Sequence, residues 1–202
     1  SLYDNILRFA QMEPDRITPP DQFVRAFYEG RWDEIRETLA KLPIETADGI
    51  FDKMLSDLAG RNVPVMTLDD FLGLSDACPS ELTTDRIRKL GILLRASVPP
   101  EQQVWLEEAI QKGTRYFGRS GAKRLVTGRV LLHADFDELA RQYLPDALRA
   151  SQIEDEAVRD EILQFLASQE ELDQFQRTQI AGLWEQQATV LTDSQADIAK
   201  KR

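Results

Sequence analysis

Residues 113–124, GTRYFGRSGAKR, have the types and spacing closest to a chemical motif in this sequence. Gly113 and Gly118 precede Arg119 and Ser120, which is the spacing of a phosphate-binding loop with arginine in the lysine position. Such a loop needs a buried strand before it and a helix after it, whose amides hold the phosphates. The sequence before Gly113 has helical periodicity, and a guanidinium fork does not replace a lysine ammonium. We therefore predict no nucleotide-hydrolysing site here.

The same region is distinguished by its positive charge. Residues 109–134 contain no acid, although the chain has a formal net charge of −10. We call residues 112–129 the basic segment. Its candidate residues for binding a partner or an anion are Lys112, Arg115, Arg119, Lys123, Arg124 and Arg129. A short helix beginning near Ser120 would add free amides suited to a phosphate or a carboxylate.

Several roles are open for the basic segment. The first is docking on the acidic stretch 152–175 of the same chain, the second is exposure to solvent, and the third is binding to a partner. If it binds a partner, an acidic protein is favoured over a phosphate or nucleic acid. General coating of nucleic acid is disfavoured, because a net-negative body repels phosphate backbones. Of these alternatives we favour internal docking or solvation.

Other reactive residues give no assembled site. The chain has one cysteine and one histidine, so it can form neither an intramolecular disulfide nor a Cys/His zinc site. His133 has Asp135 nearby but no nucleophile motif, and we expect it to be structural. We also expect Cys78 to be partly buried. The prediction is therefore no catalytic residue, no metal and no cofactor.

The elements that position these residues have helical patterns almost throughout. Gly30 ends the first helix, Thr46 precedes the third, and a helix from Phe136 ends near Pro145. The stretch 158–184 fits one long helix or two shorter ones. We predict an all-α protein of about nine to eleven helices, arranged as antiparallel hairpins in a solenoid-like array or an irregular bundle. Residues 1–191 form one domain, with a possible subdivision near 98–100, and 192–202 form a polar tail.

Three tryptophans are expected to lie in this helical core: Trp32, Trp105 and Trp184. If one of them is exposed instead, it marks a contact site, because tryptophan is enriched among the residues that dominate binding energy.

One turn resembles a known family. Residues 29–35, EGRWDEI, have a glycine, an aromatic residue two positions later and then acids. This is similar to the turn between the two helices of a tetratricopeptide repeat, and the similarity covers these seven residues. Ile35 stands where that family has a small residue. The resemblance implies helical-hairpin geometry and, through it, a partner-binding scaffold.

The function that we predict is a non-enzymatic helical scaffold or adaptor that binds another protein. Since the sequence begins with Ser1, we expect it to be part of a longer protein. The alternatives are an anion- or nucleic-acid-binding domain that uses residues 112–129, and an all-α hydrolase whose carboxylates lie on separate helices. No apolar run approaches the ~20 residues of a membrane span. The lack of disulfides favours the cytoplasm and leaves a periplasmic or surface location open; the oligomeric state is left open too.

Overall fold

A computed structural model describes residues 21–60, 66–111, 114–150 and 153–168, together with 181, 182 and 185. All regular secondary structure in these ranges is helical, which confirms the all-α prediction. The α-helices are α1 (Asp21–Tyr28), α2 (Trp32–Lys41), α3 (Ile44–Leu58), α4 (Leu68–Asp76), α5 (Thr84–Ser97), α6 (Gln103–Gln111), α7 (Ala122–His133), α8 (Asp137–Ala150) and α9 (Glu156–Ala167). A 3-10 turn, Pro100–Gln102, leads into α6. None of the described helices is long and apolar enough to cross a bilayer.

The turn between α1 and α2 is closed by Gly30. Its φ of 68° lies in the left-handed region, where glycine has no Cβ penalty. The amide of Arg31 donates to the carbonyl of Ala26 at 3.0 Å, and the amide of Gly30 donates to Phe27 at 3.2 Å. These two bonds form the glycine-ended helix terminus known as a Schellman motif. Trp32, which begins α2, then packs edge-on against Phe27 with ring centroids 4.9 Å apart. The predicted hairpin turn is confirmed, whereas membership of the tetratricopeptide family stays a prediction.

Helices α4 and α3 begin in different ways. Thr67 accepts a hydrogen bond from the amide of Asp70, and the Asp70 carboxylate accepts one from the amide of Thr67. This reciprocal cap satisfies two amides that would otherwise lack a partner at the start of α4. Helix α3 begins at Ile44, before the predicted start after Thr46. Pro43 is its N-cap residue, and the Pro43 carbonyl accepts the first helical hydrogen bond, from the amide of Ala47, at 2.9 Å.

Helices α7 and α8 make the most extensive helix–helix contact, and α7 also packs on α5. Two glycines permit this close approach. A Cβ on Gly128 would lie 2.6 Å from a methyl of Leu144, and one on Gly91 would lie 2.5 Å from the Cβ of His133. Since real Cβ atoms do not come so close to other heavy atoms, α7 can lie between α5 and α8 only with glycine at both positions. Helix α7 begins two residues after the predicted Ser120 and extends over 12 residues.

The prediction that the helix from Phe136 ends near Pro145 is wrong. Helix α8 continues to Ala150 with Pro145 inside it. Proline removes one backbone hydrogen bond and normally bends or ends a helix. Here Ala147 and Leu148, in the turn after the proline, are 1% and 4% exposed. Their burial favours continuing the helix and offsets the lost bond.

The stretch 158–184 was predicted to form one long helix or two shorter ones. Its first part lies in α9, which ends at Ala167. After Ser168 only residues 181 and 182 of this stretch are described, and Trp184 and the tail 192–202 lie outside the described residues.

Candidate binding surfaces

The most strongly held charge in the described structure is Arg86, which sequence analysis did not single out. Its side chain is 4% exposed and lies between α3 and the 77–83 loop, which joins α4 to α5. It donates to Asp52 at 2.7 Å and to Asp48 at 2.9 Å. Its remaining guanidinium nitrogen donates to the Glu81 carbonyl at 2.6 Å and to the Ser80 hydroxyl at 3.0 Å. The Arg86 side chain therefore ties the 77–83 loop to α3.

Burial by itself would lower the pKa of Arg86, but its hydrogen bonds to Asp52 and Asp48 raise the pKa overall. The Arg86 guanidinium also lies 3.4 Å from the sulfur of Cys78. That thiol is fully buried, not partly buried as expected, and burial raises its pKa. A protonated, inaccessible thiol has little reactivity, which makes Cys78 a packing residue.

The first part of the basic segment clamps the same loop from the other side. The Tyr116 hydroxyl lies 2.7 Å from the Cys78 carbonyl and 2.6 Å from the Ser80 carbonyl, and it donates its one proton into this pair. Arg115 donates to the Cys78 carbonyl at 3.0 Å, and its own amide donates to Asp76 at 3.0 Å. Burial raises the pKa of Tyr116, so its hydroxyl remains a donor. Arg115 thus serves the fold, although its side chain reaches the surface.

The middle of the basic segment is held by short-range contacts. Arg119 forms an ion pair with Glu107 of α6 and lies 5.4 Å from the ring centroid of Tyr143. Arg124 donates to the Arg119 carbonyl at 2.7 Å, and Lys123 donates to the Thr114 carbonyl at 2.9 Å. These contacts fold the stretch 114–124 back onto α6, α8 and itself.

Among the described candidate residues of the basic segment, only Arg129 contacts α9, the helix of the acidic stretch 152–175. It is 6% exposed, and its Nε lies 3.9 Å from Glu161 of α9. The His133 Nε2 lies 2.7 Å from the other oxygen of the same carboxylate. The hydrogen bond from His133 lowers the pKa of Glu161, and Arg129 adds to that effect. Glu161 therefore links the C-terminal half of α7 to α9.

Internal docking of the basic segment occurs mainly at sites other than those expected. The expected surface was the acidic stretch 152–175, yet Arg115 and Arg119 contact the 77–83 loop, α6 and α8. The reason is geometric. Helix α7 packs between α5 and α8, and it contacts Glu161 of α9 through Arg129 and His133, which are one turn apart. Lys112 lies outside the described residues. Arg119, Lys123 and Arg124 remain on one short stretch, with some of their donors in solvent.

Helix α6 differs from the basic segment because it exposes apolar side chains to solvent. Its inner face buries Leu106 and Ile110, which are 0% and 3% exposed. Its outer face carries Val104 and Trp105, which are 67% and 66% exposed. We call these two residues the apolar pair. Trp105 was expected in the core, and that prediction is wrong. Leu106 and Ile110 take the buried positions four residues apart, and Trp105 therefore faces away from them.

Three carboxylates, from α9 and from the turn after α7, line one open cavity beside His133. An open cavity of roughly 650 Å³ there has polar side chains from Asp135, Asp160 and Glu161 in its wall. Asp135 is paired with Arg95, and Glu161 with His133, so two of these acids already have a basic partner. Within the described ranges, no group of three or more His, Cys, Asp or Glu side chains is arranged to hold a metal ion.

The role of Arg86 could not be predicted from the sequence, whereas the exposure of Trp105 could. Arg86 looked like any other helix residue, and its role depends on Asp48 and Asp52, which are more than 30 positions away. The exposure of Trp105 did have a local signal. The positions of Val104 and Trp105 next to Leu106 leave no helical face that buries all three.

Comparison with models of known protein families gives no match, and searches of curated proteins and of solved structures give none either. The fold and the contacts described above therefore carry the functional argument on their own.

Proposed function

We propose that this chain is a non-enzymatic helical scaffold or adaptor that binds a partner protein through the apolar pair on α6. The observation that carries the proposal is the exposure of Val104 and Trp105, at 67% and 66%. A tryptophan in a binding interface is among the side chains that contribute most to affinity. Exposing one with an adjacent valine is costly in solubility, and covering them would remove a large apolar area from water.

The rest of the described body supports a scaffold role because its charged side chains hold the fold. Arg86 fixes the 77–83 loop, and Glu161 attaches α9 to α7. Since α6 is anchored by Leu106 and Ile110, the apolar pair is presented on an ordered helix. The tetratricopeptide-like turn at 29–35 is in keeping with this proposal, because repeats of that family present surfaces to partners.

The proposal is tested by placing a photo-crosslinking amino acid at Val104 and irradiating the cells that naturally produce the protein. We expect a discrete crosslinked species containing a second protein, identified by mass spectrometry. The matched control carries the same amino acid at Ile44, which is also exposed, at 54%, on a different helix. If position 104 gives no crosslink, or gives the same products as position 44, the proposal is wrong.

Anion binding by the basic segment is a second candidate, favoured by the start of α7. Gly121 provides no side-chain cap there, and the first turn contains no acid. Lys123 lies in this turn, and uncapped helix amides beside a lysine suit a phosphate. Titration with tripolyphosphate should shift the amide NMR signals of Ala122 and Lys123 at submillimolar concentration. Shifts no larger there than at the amides of Asp33 and Glu34 would dismiss this candidate.

A further inference from the structure

The apolar pair lies between two acids. Glu101, in the 3-10 turn that leads into α6, precedes Val104 by three positions, and Glu108 of α6 follows Val104 and Trp105 by four and three. Residues three or four apart share one side of an α-helix, and residues three apart eclipse each other in a 3-10 turn. Both glutamates are exposed, and neither forms an ion pair with the part of the chain that the structure describes. The outer face of α6, together with the turn before it, thus has an apolar centre with an exposed acid on each side.

A second copy of the chain is a poor occupant for this face. If two copies of α6 packed antiparallel about the apolar pair, Glu101 of each copy would face Glu108 of the other. If they packed parallel, each glutamate would face its own counterpart. Both arrangements bring like charges together while they are being desolvated, which costs free energy. A symmetric contact between copies is therefore disfavoured by the same residues that flank the apolar pair.

We propose that the partner of α6 is a different protein whose apolar cleft is bordered by lysine or arginine side chains. This inference rests on the proposed function and adds the chemistry of the partner. Trp105 and Val104 fill the cleft, and the basic border pairs with Glu101 and Glu108. Charges at the border of an interface act mainly on the association rate and on discrimination between partners. The net charge of −10 increases the rate of encounter with a basic surface.

Two synthetic peptides test the chemistry directly. Both are amphipathic helices with the same leucine face, and the polar face carries lysine in one and glutamate in the other. Fluorescence anisotropy with labelled peptides measures binding to the full chain. We expect the lysine peptide to bind at least about tenfold more tightly than the glutamate peptide. Trp105→Ala should weaken the lysine peptide about tenfold, as for the loss of a central aromatic contact.

Two matched double charge reversals distinguish binding at the α6 surface from general attraction of the lysine peptide to an acidic protein. E101K/E108K changes the two bordering acids, whereas E37K/E45K changes two exposed acids on α2 and α3 and alters the net charge equally. We expect E101K/E108K to weaken the lysine peptide by about tenfold and E37K/E45K by less than about threefold. Equal effects of the two doubles, or equal binding of the two peptides, would overturn the inference.

The result also distinguishes this inference from the proposed function. If the crosslinked species at position 104 is lost in Trp105→Ala but unchanged in E101K/E108K, the apolar pair binds a partner whose border is not basic. The inference then fails and the proposed function stands. If Trp105→Ala leaves the crosslinked species unchanged, the proposed function itself fails.

Discussion

The basic segment and helix α6 contact each other through Arg119 and Glu107, but they differ in how their most distinctive side chains are placed. The described positive charges of the basic segment have partners within the chain, and Arg129 is buried, although Arg115, Arg119 and Lys123 stay exposed. The apolar pair of α6 turns outward. A cluster of like charges suggests a binding site in a sequence, but here much of it braces the fold. The surface that we propose for a partner is apolar, and it contains Trp105, which was expected in the core.

The largest expected effect comes from removing the charge at the centre of the braced region. Arg86→Met leaves Asp48 and Asp52 without their shared cation and frees the 77–83 loop. Removing one partner of a buried ion pair costs about 3–5 kcal/mol. Asp52 is half exposed, so we expect a loss near the lower end of that range. Chemical denaturation followed by circular dichroism measures the free energy of unfolding.

Arg88→Met is the control for this change, because Arg88 is exposed on the same helix and its ion pair within the described ranges is with Asp85, three residues before it. Its loss should stay below about 1 kcal/mol. Equal losses in the two variants would mean that the bonds of Arg86 do not hold the loop.

A smaller loss of stability is expected when the middle of the basic segment is reversed. R119E/R124E places a glutamate against Glu107, removes the cation above the Tyr143 ring and breaks the bond to the Arg119 carbonyl. These changes together should lower the free energy of unfolding by about 2 kcal/mol. The control R36E/R88E reverses two exposed helical arginines, and we expect at most half of that loss. If R119E/R124E is no less stable than the control, the basic segment is not a brace.

The attachment of α9 should depend on pH through Glu161. Its pKa is lowered in the folded state by His133 and Arg129. A carboxyl of this kind stabilises the fold at pH values above its unfolded pKa and loses that contribution as pH falls through the folded pKa. Glu161→Gln should therefore cost about 1.5 kcal/mol at pH 7 and progressively less below pH of about 4.5. Melting temperatures of both proteins across this range check the prediction; a constant difference between them would contradict it.

The smallest effect concerns the turn that leads from α7 into α8. Asp135 has a φ of 59°, in the left-handed region that alanine disfavours and glycine accepts. Both Asp135→Gly and Asp135→Ala lose the ion pair with Arg95, so their difference isolates the backbone. Asp135→Ala should be less stable than Asp135→Gly by about 1 kcal/mol, measured by thermal denaturation. Equal stability would mean that this turn relaxes when the side chain changes.

A helix boundary could be predicted from the sequence where the residues that determine it are close together in the chain. The start of α4 was predictable because Thr67 and Asp70 are three residues apart and cap the helix by themselves. The end of α8 was not, since Pro145 signals a stop locally while the burial of Leu148 depends on the packing of distant helices. Packing against distant helices thus outweighs the tendency of Pro145 to end the helix.

The same distinction applies to the candidate surfaces. The charge of the basic segment was visible and internal docking was among the favoured roles. Its partners Cys78, Ser80 and Glu161 are about 30 or more positions away, so most of the docking sites could not be predicted. The outward direction of Trp105 was in principle accessible from its position beside Leu106. It was missed because large aromatic residues are usually buried, and that general tendency was given more weight than the helical phase.

The central claim is that α6 is the partner surface and that the basic segment is a brace. The most direct test compares Trp105→Ala and R119E/R124E for two quantities, the free energy of unfolding and the yield of the species crosslinked at Val104. We predict that Trp105→Ala loses the crosslinked species while its stability changes by less than about 0.5 kcal/mol. R119E/R124E should keep the crosslinked species while losing stability. The reverse pattern, with a destabilised Trp105→Ala and a stable R119E/R124E that no longer binds, would contradict the account.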